Sequence, residues 1–423
     1  MPASDALSTA QRALAEEIGA ILHDGSRRLD VAAMTTTARA SGLLQPSELQ
    51  ALERRGRLPD WLLDALGLGG DYPASTRFTT VRVSSGRRWE LTPPTILHGA
   101  ALPSSFEMEG ASSPDVDLVS GEGAELVLNN RARACFLDDG YVPALTDVDN
   151  LWSWSMVREW PAVRLPGRSL VLFVEGSQLL SHWLLDTLPR LGALSAAGRS
   201  PADYDHVVLA SAPHPFHVQS LQALGIPSGK VVTRAAAGPR LRCDAFDFVT
   251  PVRQSYLAEP WVYAFVEQLF GAPSPARPFR KLFISRQKAR RRRIVDEAWL
   301  HPVLERRGYQ IVNAEDHALK DMARMCAEAT AIAGPHGAGI ANSVFARPGA
   351  RVLEIFGAHI SPEYWRLAGQ RGLTYACCQA RDEAGRAFDA EDLAQTGLRE
   401  RQAAGMSVSP AELERLLDDF DQL

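Results

Sequence analysis

The residues best suited to chemistry begin with a glycine-rich loop, Gly334-Pro335-His336-Gly337-Ala338-Gly339. It follows a short apolar segment, Thr330–Ala333, and precedes helical spacing at Ile340, Asn342 and Phe345, so it predicts strand, tight turn and helix. Glycines let backbone amides approach an anion, and the amides and dipole at a helix start favour phosphate there. His336 can hydrogen-bond a phosphate oxygen. The same residues also fit an architectural βα turn in which Gly337 and Gly339 take positive φ. The spacing is not the GxGxxG of dinucleotide-binding proteins, which counts against an NAD(P)-dependent oxidoreductase.

Three further groups have suggestive positions. Glu354 interrupts the apolar run Val352–Phe356 near its C-terminal end, where a carboxylate can accept from both hydroxyls of a ribose; pairing with an arginine is the rival reading. The run Ser285-Arg286-Gln287-Lys288-Ala289-Arg290-Arg291-Arg292-Arg293 follows a strand-like segment and could hold a diphosphate bidentately, although such runs usually form solvated loops. His182 and Asp186 stand four residues apart, hence on one face of a helix, and a carboxylate beside an imidazole suits a general base. The same pair could instead anchor the helix to a sheet, and Pro189 predicts a kinked or short helix.

These groups need elements to hold them. Residues 5–23 and Pro46–Leu66 carry apolar residues at helical spacing, giving an N-terminal helical region over residues 1–70. From Thr76 to about Val157 short strand-like segments such as Thr79–Val83 and Ala124–Leu128 alternate with Gly, Pro, Ser and Asp clusters. Then Leu170–Val174, Leu179–Ala197, His206–Ala210, Phe216–Leu224 and Val231–Thr233 read as βαβαβ, so residues 71–272 predict a β-rich section and a first parallel α/β domain. Ala272-Pro273-Ser274-Pro275-Ala276-Arg277-Pro278 reads as a linker. A second domain over residues 273–395 has strands at Leu282–Ser285, Gln310–Val312, Thr330–Ala333, Val352–Phe356 and Thr374–Cys377. In the last segment, residues 396–423, Ser409, Pro410 and Glu412 form a capping box ahead of Leu413, Leu416 and Leu417. Two α/β domains joined by a linker leave a cleft between them, where ligands commonly bind.

Composition narrows the partners. With 46% hydrophobic and 22% charged residues and no apolar run of about 20 residues, nothing is expected to span a bilayer. The first residues lack a secretion signal, so a cytoplasmic location is expected, with the inner face of a membrane and peripheral attachment left open. A net charge of −5 argues against a nucleic-acid partner. Cys135, Cys243, Cys326, Cys377 and Cys378 have neither zinc nor disulfide spacing. Asp115/Asp117, Asp147/Asp149, Asp203/Asp205 and Asp419/Asp421 are DxD triplets that chance supplies readily, and none is assigned a metal. HExxH, GxSxG and GKS/T motifs are absent.

Four blocks in order, His182-Trp183-Leu184-Leu185-Asp186-Thr187-Leu188-Pro189-Arg190-Leu191, Phe283-Ile284-Ser285-Arg286, Arg293-Ile294-Val295-Asp296-Glu297, and Gly334 to Asn342 with Leu353-Glu354, resemble glycosyltransferase family 61 of the capsular-polysaccharide type. Tyr364-Trp365-Arg366-Leu367-Ala368 and Gly372-Leu373-Thr374-Tyr375 are similar to the family's ending. The resemblance implies a GT-B fold of two Rossmann-like domains facing a cleft, and inverting transfer without an obligatory metal or other cofactor. The expected donor is a nucleotide sugar, such as a UDP-sugar, and the expected acceptor a glycan or lipid-linked hydroxyl in surface polysaccharide synthesis. In that reading Arg286, Arg293, His336, the amides of Gly337, Ala338 and Gly339, Asn342 and Glu354 form the donor side. Asp186 is the expected base, with His182 the alternative. Where the family usually has Asn-Glu, this chain has Asp296-Glu297. A non-catalytic glycan or nucleotide-sugar binder is the rival class, and self-association through residues 1–70 stays open.

Overall fold

The computed structural model describes residues 7–22, 31–55, 57–68, 72–98, 103–128, 133–147, 151–158, 160–174, 176–209, 211–271, 277–389, 393 and 396–423. Most of the expected linker, residues 272–276, therefore lies outside the described residues, as does Asp149. The fold is mixed α/β. Contacts divide the chain into two compact units, each assembled from three stretches: Met1–Val83, Val116–Gln178 and Ala193–Thr250 in the first, Ser84–Asp115, Leu179–Gly192 and Pro251–Leu423 in the second.

The first unit is built on a sheet that runs, in order, Gly140–Tyr141, Arg133–Leu137, Val116–Leu128, Arg240–Val249, Val163–Val171, His206–Leu209 and Val231–Thr233, with Thr79–Ser84 pairing on Val116–Leu128. Pairing is antiparallel through the first four and parallel through the last four, so the β-rich stretch and the βαβαβ stretch share one sheet. Alternation gives each face its own cover. Val127, Ala134 and Phe136 pack with Leu14, Ile18, Leu22, Leu52 and Leu62 from the N-terminal helices. Leu126, Leu128, Cys135 and Leu137 go instead to a core with Phe173, Phe246 and Phe248.

The second unit carries a wholly parallel six-stranded sheet in the order Tyr309–Asn313, Arg280–Ser285, Ala329–Pro335, Arg351–Phe356, Thr374–Gln379 and Thr95–Ile96. These strands read as nearly continuous apolar runs because helices bury both faces. Counted from Arg280, the first five have the order 2-1-3-4-5. That order reverses direction between Arg280–Ser285 and Ala329–Pro335, and the crevice outside the C-terminal ends of such strands is where open α/β sheets take ligands. Ser285-Arg286 and Pro335-His336 lie at those two ends.

The closing helix Pro410–Asp421 completes this unit. Ser409 and Glu412 form the reciprocal capping box, and Leu413, Leu416, Leu417 and Phe420 join Phe283, Ala333, Leu353 and Ile355 in one core. Its removal from that core should cost far more than loss of its cap. Leu417→Ala is expected to lower unfolding free energy by about 2–5 kcal/mol, and Ser409→Ala by about 1 kcal/mol, both measured by chemical denaturation. A Leu417→Ala cost no larger than that of Ser409→Ala would show the helix to be peripheral.

Candidate active site

The segment with His182 and Asp186, expected within the first α/β domain, belongs to the second unit and packs against the helices Ala338–Phe345 and Pro260–Phe270. Its geometry follows from Pro189, which has no N–H to give to a carbonyl one turn back. The chain answers with a π turn over Trp183–Thr187, closed by Leu188 N donating to Trp183 O at 2.8 Å, before a new helix starts at Pro189. The Thr187 hydroxyl donates to His182 O at 3.1 Å, and Arg190 Nε donates to Asp186 O at 2.9 Å, so side chains satisfy carbonyls that the broken ladder leaves over. Single π turns of this kind recur at functional sites.

Within this turn His182 Nδ1 lies 2.7 Å from Asp186 Oδ2. Asp186 has a second, stronger partner that the sequence did not reveal. Arg253 donates from Nε to Asp186 Oδ1 at 2.6 Å and from an η nitrogen to Oδ2 at 2.9 Å, and the same η nitrogen donates to Glu363 at 3.0 Å. Burial would raise the Asp186 carboxyl, but the Arg253 charge and the two hydrogen bonds override it and hold the group far below the usual carboxylate range. For His182 burial opposes the cation, yet the bond and charge of Asp186, with Glu363, win and lift the imidazole above its ordinary value. About a third of the His182 side chain (32%) is exposed, against 1% for Arg253.

At the switch point the loop glycines are required for space, not for backbone sign. None of Gly334, Gly337 and Gly339 has a left-handed φ; Gly337 is extended at φ 163°. A Cβ on Gly334 would meet Ile284 O at 2.6 Å, one on Gly339 the Ile284 side chain at 2.7 Å, and one on Gly337 would overlap the Arg286 guanidinium. The positive-φ turn is thus replaced by a close approach of the loop to the strand Arg280–Ser285 and its arginine. After the loop comes a 3-10 helix, Ala338–Phe345, whose first internal bond is Ile340 N to Gly337 O, so the amides of Ala338 and Gly339 have no intrahelical acceptor. Asn342 is buried and donates to Gly339 O at 2.9 Å, which places it under the loop as a brace.

Arg286 is joined at this point by Arg292, not Arg293. Arg292 adopts φ 55°, which turns the chain; Arg293 then lies exposed, its carbonyl bonded to Met406 N. Arg286 and Arg292 are each half-buried, and the Nε of each is buried with no hydrogen-bond partner. Burial, reinforced by the Arg292 charge, pulls Arg286 down to about 10. The neighbouring Asp296 has φ 52° and starts the turn Glu297–Leu300, a conformation that Asn and Asp tolerate better than most residues. Glu297, fully buried, accepts from the Ser285 hydroxyl at 2.6 Å and fixes the base of the arginine loop.

Glu354 does not offer a carboxylate to solvent as a ribose ligand would need. It is fully buried; Oε1 is 2.5 Å from His336 Nδ1, and Oε2 accepts from the Tyr375 hydroxyl at 2.5 Å. Its place is behind His336. Burial, with the charges of Arg292 and Arg286, pulls His336 down to about 3 despite Glu363. Tyr364 connects the two clusters: its ring centroid lies 5.6 Å from that of His336, and its hydroxyl bonds Ser181, the residue before His182.

Arg253, Arg292, Glu363, Tyr364 and Tyr375 carry no role in the sequence reading. Arg292 stands in the flagged run and Tyr364 and Tyr375 in the family-like ending, but no local signal marks Arg253, whose partners are 67 and 110 positions away. The described DxD acids have protein partners: Asp115 takes Gly86 N, Asp117 pairs with Arg82, Asp147 takes Arg133 N, Asp203 closes the turn at Ser200, Asp205 takes Arg168 N, Asp419 pairs with His98 and Asp421 with Lys281. Among the described residues no group of three or more His, Cys, Asp or Glu is set to hold a metal, and no helix is long and apolar enough to cross a membrane.

No curated protein matches the chain. The family model described as Glycosyltransferase 61 matches residues 180–353. That span takes in His182, Asp186, Arg253, Arg286, Arg292 and His336 and stops one residue before Glu354. Over that span the chain is similar to the glycosyltransferase 61 family, and this match makes it a glycosyltransferase.

Proposed function

We propose that the second unit binds a nucleotide-diphosphate sugar, with a UDP-sugar the first candidate, and passes its sugar with inversion to a hydroxyl of a glycan or lipid-linked acceptor. The observation that carries this reading is the pair of half-buried guanidiniums, Arg286 and Arg292, with unpartnered Nε atoms beside His336 at the switch point of a parallel sheet. Like charges held together out of water are stabilised by an anion, and a diphosphate supplies one. The amides of Ala338 and Gly339 add donors to the same anion. The reading includes the GT-B class, surface polysaccharide synthesis and a cytoplasmic setting, all carried over from the resemblance and the sequence.

The chemistry follows from the partners. In a direct displacement the acceptor oxygen bonds to the anomeric carbon as the bond from that carbon to the phosphate oxygen breaks; the hydroxyl proton goes to a base and the nucleoside diphosphate leaves with the electron pair. His182 serves as the base and Asp186 as the residue that orients it, reversing the order expected from the sequence. Asp186 is a weak base because Arg253 and His182 occupy both its oxygens. With Nδ1 turned to Asp186, the lone pair of His182 Nε2 receives the proton. Arg286, Arg292 and an N–H of His336 take the charge that develops on the leaving diphosphate, and no metal is required for that step.

Two experiments test the reading. His182→Ala should lower kcat by about 100-fold or more. Because the base must be neutral, activity of the wild type should fall as pH drops through a His182 pKa held above its ordinary value. Asp186→Asn removes the group that raises it, while Arg253 stays, so the acid limb should move to lower pH. An acid limb that does not move would sink the assignment of His182. On the donor side, Arg286→Ala and Arg292→Ala should each weaken calorimetric binding of UDP, GDP or ADP, whichever binds best, by roughly 10- to 100-fold, whereas Arg293→Ala should leave it nearly unchanged. Equal losses at Arg292 and Arg293 would show a diffuse basic surface in place of a built site.

A further inference from the structure

Glu354 is a carboxyl group in a place where ionisation is costly. It has no exposed surface, and no arginine or lysine among the described residues forms an ion pair with it. Its two oxygens each have one partner, His336 Nδ1 and the Tyr375 hydroxyl, both at 2.5 Å. The three groups come from three adjacent parallel strands or their ends: His336 directly after Ala329–Pro335, Glu354 within Arg351–Phe356, Tyr375 within Thr374–Gln379. We propose that Glu354 is a positioning residue that works as a neutral carboxylic acid, donating its O–H to His336 Nδ1 so that His336 stays neutral and presents an N–H at Nε2.

With the Tyr375 hydroxyl donating to Oε2, three proton arrangements give the His336–Glu354 pair a hydrogen bond. An imidazolium facing a carboxylate would set a third cation beside Arg286 and Arg292, whose charges already act on His336. A neutral imidazole donating from Nδ1 to a carboxylate would leave a buried anion facing Glu363 and would make Nε2 an acceptor, which a phosphate oxygen cannot use. In the third arrangement nothing buried is charged and every hydrogen is used: Tyr375 O–H donates to Oε2, and Oε1–H donates to Nδ1. The surroundings favour it. Burial lifts Glu354 well above its ordinary value, with the bond from Tyr375 and the charge of Arg292 opposing and that of Glu363 assisting. His359, with its ring 5.2 Å from that of His336, is itself pulled down to about 3, first by burial. Tyr364 and Tyr375 are both raised, chiefly by burial, as is Cys377 beside Tyr375, so these neighbours are neutral as well.

The functional consequence, an N–H offered to the donor diphosphate, rests on the donor-site reading above; the protonation state does not. The enzyme without nucleotide is therefore the sample. In protein labelled with 15N at histidine, long-range 15N–1H spectra identify the tautomer, with His336 assigned by its loss in His336→Gln. Between about pH 5 and 8, the window in which ordinary histidines titrate, His336 should keep the neutral pattern with its proton on Nε2. Glu354→Gln should retain that pattern and the wild-type melting temperature, because the introduced amide can donate N–H to Nδ1 while its oxygen accepts from Tyr375. Glu354→Ala should lose the pattern. A proton on Nδ1, an imidazolium at neutral pH, or a Glu354→Gln protein that unfolds or switches tautomer would overturn the proposal. Failure of wild-type enzyme to bind any nucleoside diphosphate would count against the donor site alone.

Discussion

A guanidinium as deeply buried as that of Arg253 persists only where carboxylates surround it, because the desolvation of one charge must be offset by others nearby. Arg253 finds them on elements far apart in sequence, Asp186 in the π turn and Glu363 at the start of the helix Glu363–Arg371. This bond draws a segment flanked on both sides by first-unit sequence into the second unit. It also decides chemistry. A carboxylate held by two guanidinium nitrogens keeps its charge and loses its basicity, so Asp186 can orient an imidazole and balance a cation but is poorly suited to accept a proton.

The arginine loop has the opposite arrangement. Arg286 and Arg292 are both lowered first by burial; the Arg292 charge lowers Arg286 further, and that of Arg291 lowers Arg292. Such an arrangement is strained electrostatically and is relieved by an incoming anion, which is how preorganised sites stabilise charge that appears late in a reaction. Negative charge is concentrated around Arg253 and positive charge around Arg286, with the neutral Tyr364 touching both regions through Ser181 and His336. The surroundings of Arg253 and of Arg286 are thus tuned separately within one unit.

Much of the second unit was legible in the sequence because parallel strands buried on both faces leave continuous apolar runs, and Leu282–Ser285, Thr330–Ala333 and Val352–Phe356 are such runs. The capping box at Ser409 was equally plain, since its signal is local. What was hidden is non-local or conformational. The choice of Arg292 over Arg293 depends on a single left-handed residue inside a run of like charges. Arg253 and Glu363 look like ordinary surface residues until the fold brings Asp186 to them. Glu354 stands out in its apolar strand, but an unusual carboxyl reads the same whether it meets a ribose or braces a histidine. Only its burial and the Tyr375 bond separate the two.

The loop Gly334–Gly339 illustrates how a motif can be right in position and different in cause. Glycines with left-handed φ would mark a turn that any fold might need at that point. Here the three glycines have ordinary backbone angles and are defined by what they lie against: the Ile284 carbonyl, the Ile284 side chain and the Arg286 guanidinium. Gly337 is a shelf for Arg286, so the glycine loop and the arginine strand form one structural piece, held at its base by Ser285 and Glu297. A side chain at position 337 would displace the guanidinium before it disturbed the loop. In the function proposed for this site the loop acts on phosphate through the cation it seats as well as through the amides it exposes, a coupling that a merely architectural turn would lack.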